Sequence, residues 1–446
     1  MLNEQQVSDV LVDLLQEAGE EWQRLDKFSR YHRGEHDDPY SPKQRSLEFI
    51  ALSERSKTNL IPLVVDTLVD RLYVDGFRPD LEDSVQNSPA WQWWQENSFD
   101  SRQKQVYKST GIYGYSYVQV WPGQDGTPVF RPYSPRAWYA KYDFFDDDWP
   151  IYAVRSNGDR VWLLDDEALY VTRKLKGSVP ARYDLEQVVP HGLGVTPLVR
   201  FVNSWPDEGA PPVGETEAVI HISDRLNQSV FDLLQAQSFQ GVPQRYVTNL
   251  AVDDFDELAK VVQGAQRFLG FKGEAQVGQL PAADLKNLVV AIDNTIRVFG
   301  QVSRTPPHHL VGEMVNISAE ALVAAEASLS SKIEERQTLH GESWEQLFRL
   351  AGVAAGSAEI ASDTASQVIW RSTDPRSMAS TVDALGKMVQ MLHVPADETW
   401  SMIPGITQTD VSRWRQKAEQ GDPFVMLQNE LKRQADSIGG ETHGNS

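Results

Sequence analysis

The sequence contains no cysteine. Disulfide staples, thiolate metal sites and cysteine nucleophiles are therefore excluded. It contains no run of eighteen apolar residues, so nothing in it reads as a membrane-spanning helix. It has no GxxxxGK[ST] loop for nucleotide phosphates, no GxSxG elbow and no HExxH pair, which disfavours an ATP motor, a serine hydrolase and a zincin. Positive charge is also scarce, with 42 Lys and Arg against 63 Asp and Glu, a net −21. A sequence-specific DNA binder needs a basic footprint to displace counterions, and on average this chain repels phosphate. The two readings of that charge are solubility and a surface that must not adhere to a polyanion moving past it. What is present is ordinary for a globular protein, 41% hydrophobic and 24% charged residues. At 446 residues one core is not enough, and two to four lobes are expected.

The opening segment, MLNEQQVSDVLVDLLQEAGEEW, reads as an acidic amphipathic helix to about Tyr31, not a signal peptide, and suits a cytoplasmic milieu at synthesis. A loop from Gly34 to about Leu47 follows. Pro62 suits the first turn of a helix whose apolar face is Leu63, Val64, Thr67, Leu68 and Leu72, running into a short strand around Tyr73–Phe77. Pro89 to Phe99 is a brief aromatic helix. From Tyr107 to about Phe201, short alternating runs rich in Val, Tyr and Trp, separated by Gly-Gln-Asp-Gly, Asn-Gly-Asp and Lys-Gly-Ser turns, read as strands. NSWPDEGAPPVGE, Asn203 to Glu215, is a Pro/Gly-rich linker.

Two amphipathic helices come next. In the first, Glu217, Asp224, Gln228 and Gln235 fall within about 20° of one line, with Val219, Ile222, Leu226, Val230 and Leu233 opposite. In the second, Lys286, Asp293, Arg297 and Arg304 align, with Leu288, Ile292, Ile296, Phe299 and Val302 opposite. Between them, Gly241 to Pro281 mixes a strand, PQRYVTNL, with a short helix and Gly turns. After the second helix, SRTPPHHLVGEMVNISAEAL carries two prolines, two adjacent histidines and a helix start at Ser318. The helix from Ser318 reaches about Gly352. QVIWR is an isolated strand, and helices from Met378, Pro395 and Gln408 close the chain. The polar, Gly/Ser-rich end ADSIGGETHGNS is expected to be disordered.

Candidate chemistry is thin. Asp146, Asp147 and Asp148 beside Trp149 suggest a glycosidase, but hydrolysis needs two carboxyls on opposite sides of the bond, about 5–10 Å apart. Three consecutive residues on a turn do not supply that. Thirteen tryptophans sit mostly at strand or helical spacing, which favours packing over a stacking surface. His308 and His309 invite a metal reading. In an extended loop adjacent side chains point apart, and Glu313 and Asn316 add no recognisable ligand spacing, so no metal and no cofactor is expected.

Three segments carry a resemblance: SKTNLIPLVVDTLVDRLYVDGFR; SVFDLLQAQSFQGVPQRYVTNL; and SRTPPHHLVGEMVNISAEAL with the following EERQTLHGESWEQLFRLA. Over roughly Glu21 to Gln420 the chain resembles the portal (head–tail connector) proteins of tailed bacteriophages, specifically the Gp6-like branch common among phages of actinobacteria. The resemblance implies an α+β portal fold assembled as a ring, usually a dodecamer, at one capsid vertex. Residues 1–205 would form an α/β wing, 206–240 stem helix 1, 241–281 a small clip and 282–304 stem helix 2. Residues 305–317 would be a tunnel loop, with Thr305, Pro306, Pro307, His308, His309, Gly312 and Asn316 facing DNA. Residues 318–373 would return to the wing, 374–420 would form a helical crown, and 421–446 a tail outside the family pattern.

The implied role is a non-enzymatic channel through which double-stranded DNA passes without sequence specificity during packaging and ejection. Implied partners are other copies of the chain, the terminase, head-completion or neck adaptors, and the major capsid and scaffolding proteins, with no membrane. Assembly is expected in the host cytoplasm and residence in the virion. Lys286, Asp293, Arg297 and Arg304 are candidates to face the channel, the alternative being a solvated stripe outside the stem. The competing functions are a capsid-associated adaptor that forms no pore and a carbohydrate-active hydrolase.

Overall fold

The computed structural model describes residues 1–39, 47–78, 88–144, 147–175, 177, 181–205, 210–240, 245–250, 268–272, 276–279, 285–311, 319–371, 378–400, 403, 406 and 408–421. Helix α1 (Glu4–His32) starts at a reciprocal cap: Gln6 N–H donates to Asn3 Oδ1 and Asn3 N–H to Gln6 Oε1. Its first half buries Val7, Leu11, Leu14 and Ala18 on one apolar cluster, and its second half buries Leu25, Phe28 and Tyr31 in another. One amphipathic helix thus bridges two cores.

The expected loop up to Leu47 ends in a further helix, α2 (Leu47–Ser56), whose Phe49 ring lies 4.8 Å from Phe231. Helix α3 (Ile61–Val69) begins with Pro62 in its first turn, as the sequence predicts. Strand β1 (Val74–Arg78) follows. The aromatic helix is α4 (Pro89–Glu96). The texture read as strand from Tyr107 is instead the end of helix α5 (Phe99–Tyr113). That helix is packed on several sides, with Gln103, Tyr107, Thr110 and Tyr113 all buried, so its sequence carries little one-sided periodicity. Gly114 ends it in the left-handed region at φ 93°, where a Cβ would meet the Pro212 carbonyl oxygen at 2.2 Å.

Strands β2 to β9 form two antiparallel sheets. Strand β2 (Tyr115–Pro122) lies between β3 (Pro128–Tyr133) and β9 (Leu198–Val202). A five-stranded meander contains β4 (Tyr139–Lys141), β5 (Tyr152–Asn157), β6 (Arg160–Leu164), β7 (Ala168–Lys174) and β8 (Tyr183–Pro190), in that order. The Asn157–Arg160 pairing across Gly158 at φ 63° is the hairpin that Asn-Gly-Asp signals.

Two long helices leave this body: α6 (Glu215–Gln240) and α7 (Leu285–Ser303). Between them, β10 (Arg245–Leu250) pairs in parallel with β11 (Phe268–Lys272) and antiparallel with β12 (Gln276–Gln279). The short helix expected between β10 and β11 lies outside the described residues. A single turn, α8 (Pro307–Val311), precedes α9 (Ala319–Ala355), which crosses the body. On it Trp344 packs against Trp94, Phe99 and Phe201 with ring centroids 4.9, 5.7 and 4.4 Å away, and its indole N–H donates to Tyr107 Oη at 2.9 Å. These rings, fully buried or nearly so, form the centre of the main core.

After α10 (Ala358–Ser362) comes β13 (Gln367–Trp370). Expected as an isolated strand, it pairs antiparallel with β1 across almost three hundred residues of chain. The chain closes with α11 (Met378–Leu392), α12 (Ala396–Thr399) and α13 (Gln408–Gly421), joined by an edge-on contact of Trp400 and Trp414. Of the tail expected to be disordered, residues 421–446, Gly421 ends α13 and the rest lies outside the described residues.

Candidate functional site at the base of the paired helices

The linker Asn203–Glu215 reads in sequence as a boundary, yet its two ends are clamped together. Lys332 on α9 donates to Glu215 Oε2 at 2.5 Å and to the Ser303 carbonyl at 2.9 Å. It therefore touches the first residue of α6 and the last of α7, so the two helices run antiparallel from one base. Arg336, one turn on, donates through Nε to Asn203 Oδ1 at 2.9 Å and approaches Glu215 Oε1 at 3.5 Å. Asn203 Nδ2 donates to Glu215 Oε1 and to the Val213 carbonyl. All four side chains are buried. Burial lowers the pKa of Lys332, against the opposing pull of Glu215. Close approach of backbones reinforces the clamp, since a Cβ on Gly214 would lie 2.6 Å from the Gly114 nitrogen.

The α6 stripe is not wet at this end. Glu217 accepts from Arg24 Nη1 at 3.0 Å and Asp224 from the Tyr31 hydroxyl at 2.9 Å, both donors on α1. Asn227 donates to His36 Nδ1 at 2.7 Å and accepts the Thr58 backbone N–H, while His36 Nε2 meets Asn59 Oδ1 at 3.2 Å. Desolvation depresses the His36 pKa and favours the neutral ring that this pattern needs. Helix α6 is thus bolted to the body through polar groups, with Val219, Leu226 and Phe231 buried beside them.

On α7, Lys286, Asp293 and Arg297 lie along an exposed face. Arg304 departs from that line, because the helix stops at Ser303. Arg304 takes the left-handed position at φ 51°, with its N–H donating to the Gln301 carbonyl and the Thr305 N–H to the Gly300 carbonyl, a Schellman ending. Its side chain turns toward Glu335 on α9, 3.8 Å away.

Two further expectations about the Pro-His-His segment are corrected. Thr305 and Pro306 are buried rather than projecting, and Pro307–Val311 is helical rather than extended. The turn brings the His308 and His309 rings to 4.3 Å between centroids, instead of pointing them apart. Both Nε2 atoms reach Glu326 Oε1 on α9, at 2.8 and 2.9 Å. Arg71 Nη2 lies 2.7 Å from Glu326 Oε2. Burial raises the Glu326 pKa, but Arg71, His309 and His308 together outweigh it and hold the carboxyl below its usual range. Gly312 and Asn316 lie outside the described residues.

Sequence reasoning missed Glu215, Glu326, Lys332, Arg336 and Arg71. A signal existed for the α9 residues: Glu326, Leu329, Lys332, Ile333 and Arg336 share one helical face, so charges interrupt an apolar stripe. Of the acidic turn, Asp146 lies outside the described residues. Asp147 Oδ2 accepts the Phe144 N–H at 2.8 Å and so serves the turn itself.

This arrangement is that of a scaffold which fixes an antiparallel helix pair on an α/β body through buried ion pairs. The profile of the family described as "Phage portal protein, SPP1 Gp6-like" matches residues 13–423, and the chain belongs to that family. Similar curated proteins include the portal protein of Mycobacterium phage D29, 27% identical over 349 residues, covering 73% of this chain and 71% of that one. The portal protein of Mycobacterium phage L5 is 27% identical over 352 residues, with the same shares covered. Similar solved structures include the neck of an empty gene transfer agent (GTA) particle, at TM-score 0.48 and 11% identity, covering 79% of this chain and 89% of that one. The virion of a native gene transfer agent particle gives TM-score 0.44 at 10% identity, covering 82% and 95%. No helix among the described residues is long and apolar enough to cross a membrane.

Proposed function

We propose that this portal protein assembles as a closed ring, of twelve copies by family expectation, around a channel at one capsid vertex. Double-stranded DNA enters and leaves through it without base-specific contact. The observation that carries this reading is the base of the paired helices: one end is locked by Lys332 and Arg336, while the outer face of α7 stays open. Val289 and Val290 are exposed there beside Lys286, Asp293 and Arg297. In a ring, neighbouring α6–α7 pairs cover those valines and form a barrel wall. Twelve chains of net −21 carry about −252 formal charges, which disfavours adsorption of the passing duplex.

In this reading the α/β body is the wing, the β10–β12 region is the clip that docks the terminase and later the neck adaptor, and α11–α13 form the crown inside the head. The protein performs no chemistry of its own, assembles in the host cytoplasm with capsid and scaffolding proteins, and stays in the virion. Of the channel-facing loop expected over residues 305–317, Thr305 and Pro306 are buried, and residues 312–317 lie outside the described residues. Electron microscopy of the purified protein tests the reading directly. Symmetric particles with a central pore are expected. Monomers persisting at high concentration and with scaffold present would overturn it and favour the non-pore adaptor.

A further inference from the structure

We infer that His308 Nε2, His309 Nε2 and Glu326 Oε1 form a binding site for one zinc-class divalent ion per chain, pinning α8 to α9. The candidate ligand atoms of these three residues lie within 4.8 Å of one another. Two imidazole nitrogens and one carboxylate oxygen suit zinc, with a water in the fourth tetrahedral position. Magnesium and calcium prefer all-oxygen shells and fit poorly.

The surroundings are those of a built site. Glu326 is nearly fully buried on a 37-residue helix, and the His308 side chain is about one-tenth exposed. The His309 side chain, 29% exposed, leaves an open edge through which an ion can enter. Arg71 sits on the oxygen that the ion does not need and fixes the carboxylate orientation, as a supporting partner does in metal sites. Among the described residues, no well-aligned hydrogen bond reaches that buried Oε2, so Arg71 holds it as an ion pair alone. The backbone also prepares the ligands. Pro306 accepts the His309 N–H at 3.0 Å, and the Schellman ending of α7 sets the entry into α8.

A carboxylate can only accept, so without an ion both rings present an Nε2–H to one oxygen. With an ion, each neutral ring moves its proton to Nδ1 and offers the Nε2 lone pair instead. The ion cross-links α8 to α9 through a pair of ligands on the former and one ligand on the latter.

The test uses the full-length protein after chelator treatment. Zinc is titrated in competition with a chromogenic chelator, and cobalt(II) is added separately to read the visible absorption of a tetrahedral site. One saturable zinc per chain, a tetrahedral cobalt spectrum and no competition from excess magnesium are expected. His308→Gln, His309→Gln and Glu326→Gln should each weaken zinc binding by more than the roughly 10–100-fold that loss of an outer-shell partner costs. His221→Gln, on an exposed position of α6, should leave it unchanged. Melting curves of each variant report folding separately from binding. The inference is overturned if the wild-type protein shows no saturable zinc binding, or if its affinity is unchanged in folded His309→Gln and His308→Gln. Neither outcome bears on ring formation, which microscopy reads independently.

Discussion

The α/β body and the paired helices solve the same burial problem differently. In the body, Trp94, Phe99, Phe130, Phe201, Trp344 and Phe348 are fully buried against one another, and the chain closes its own core. Along α7 only Thr295, Phe299, Gly300 and Ser303 are buried, all in the half nearest the body, while Val289 and Val290 face outward. The base between them is held by ions rather than rings. The body carries the stability of the single chain, whereas the helix pair is anchored at one end and completed by something outside it.

Substitutions can break or sharpen that contrast. The largest loss is expected from Trp344→Ala, which empties the centre of the aromatic core and costs about 3–5 kcal/mol, measured as the shift in urea unfolding of the isolated chain. Glu215→Gln should come next. It leaves Lys332 buried without its carboxylate and Arg336 paired with Glu335 alone, a loss of about 3 kcal/mol. A double-mutant cycle with Lys332→Met should return positive coupling, and additivity would show the clamp to be passive.

A third effect is graded by pH. Burial, aided by Arg336, depresses His340 to about 3 in the folded chain, while the ring stacks on Tyr107 at 5.3 Å. Below about pH 6.5 the unfolded chain takes up a proton that the folded one refuses. This contribution is therefore fully present above pH 6.5 and is lost as pH falls toward 3, by about 2 kcal/mol at pH 5. His340→Phe should flatten that part of the stability–pH curve, and an unchanged slope would assign it to other groups.

The smallest change in chain stability is expected from Val290→Lys, within about 0.5 kcal/mol, because the side chain already faces solvent. Its effect should appear only in assembly, as fewer closed rings by electron microscopy. A large loss of single-chain stability there would erase the distinction between the two regions.

Much of the body was legible from local pattern. Alternating Val, Tyr and Trp runs with Gly-containing turns marked the meander, because a half-buried strand repeats every two residues. Pro62, Asn203–Glu215 and the two amphipathic stretches marked where helices begin and the chain changes course. Helix α5 escaped because it is buried on several sides, which erases the one-sided period. The partner of QVIWR escaped because strand pairing between β1 and β13 leaves no mark within either segment.

The histidine pair shows the same division. Two prolines and two histidines after an amphipathic helix identified a special segment, and the neighbouring family-like sequences identified the class of protein. Whether the rings diverge or converge depended on a single helical turn, and on a glutamate seventeen residues beyond His309 brought back by α9. By itself the sequence determined the absence of thiol chemistry, the acidic character, the run of elements and the family, since these are properties of composition, period and local motif. The tertiary structure alone decided that Glu215, Lys332 and Arg336 meet, that Arg304 leaves its stripe, and that His308 and His309 share one carboxylate. Those contacts follow from long-range packing of α9 against the rest of the chain, and no local period encodes them.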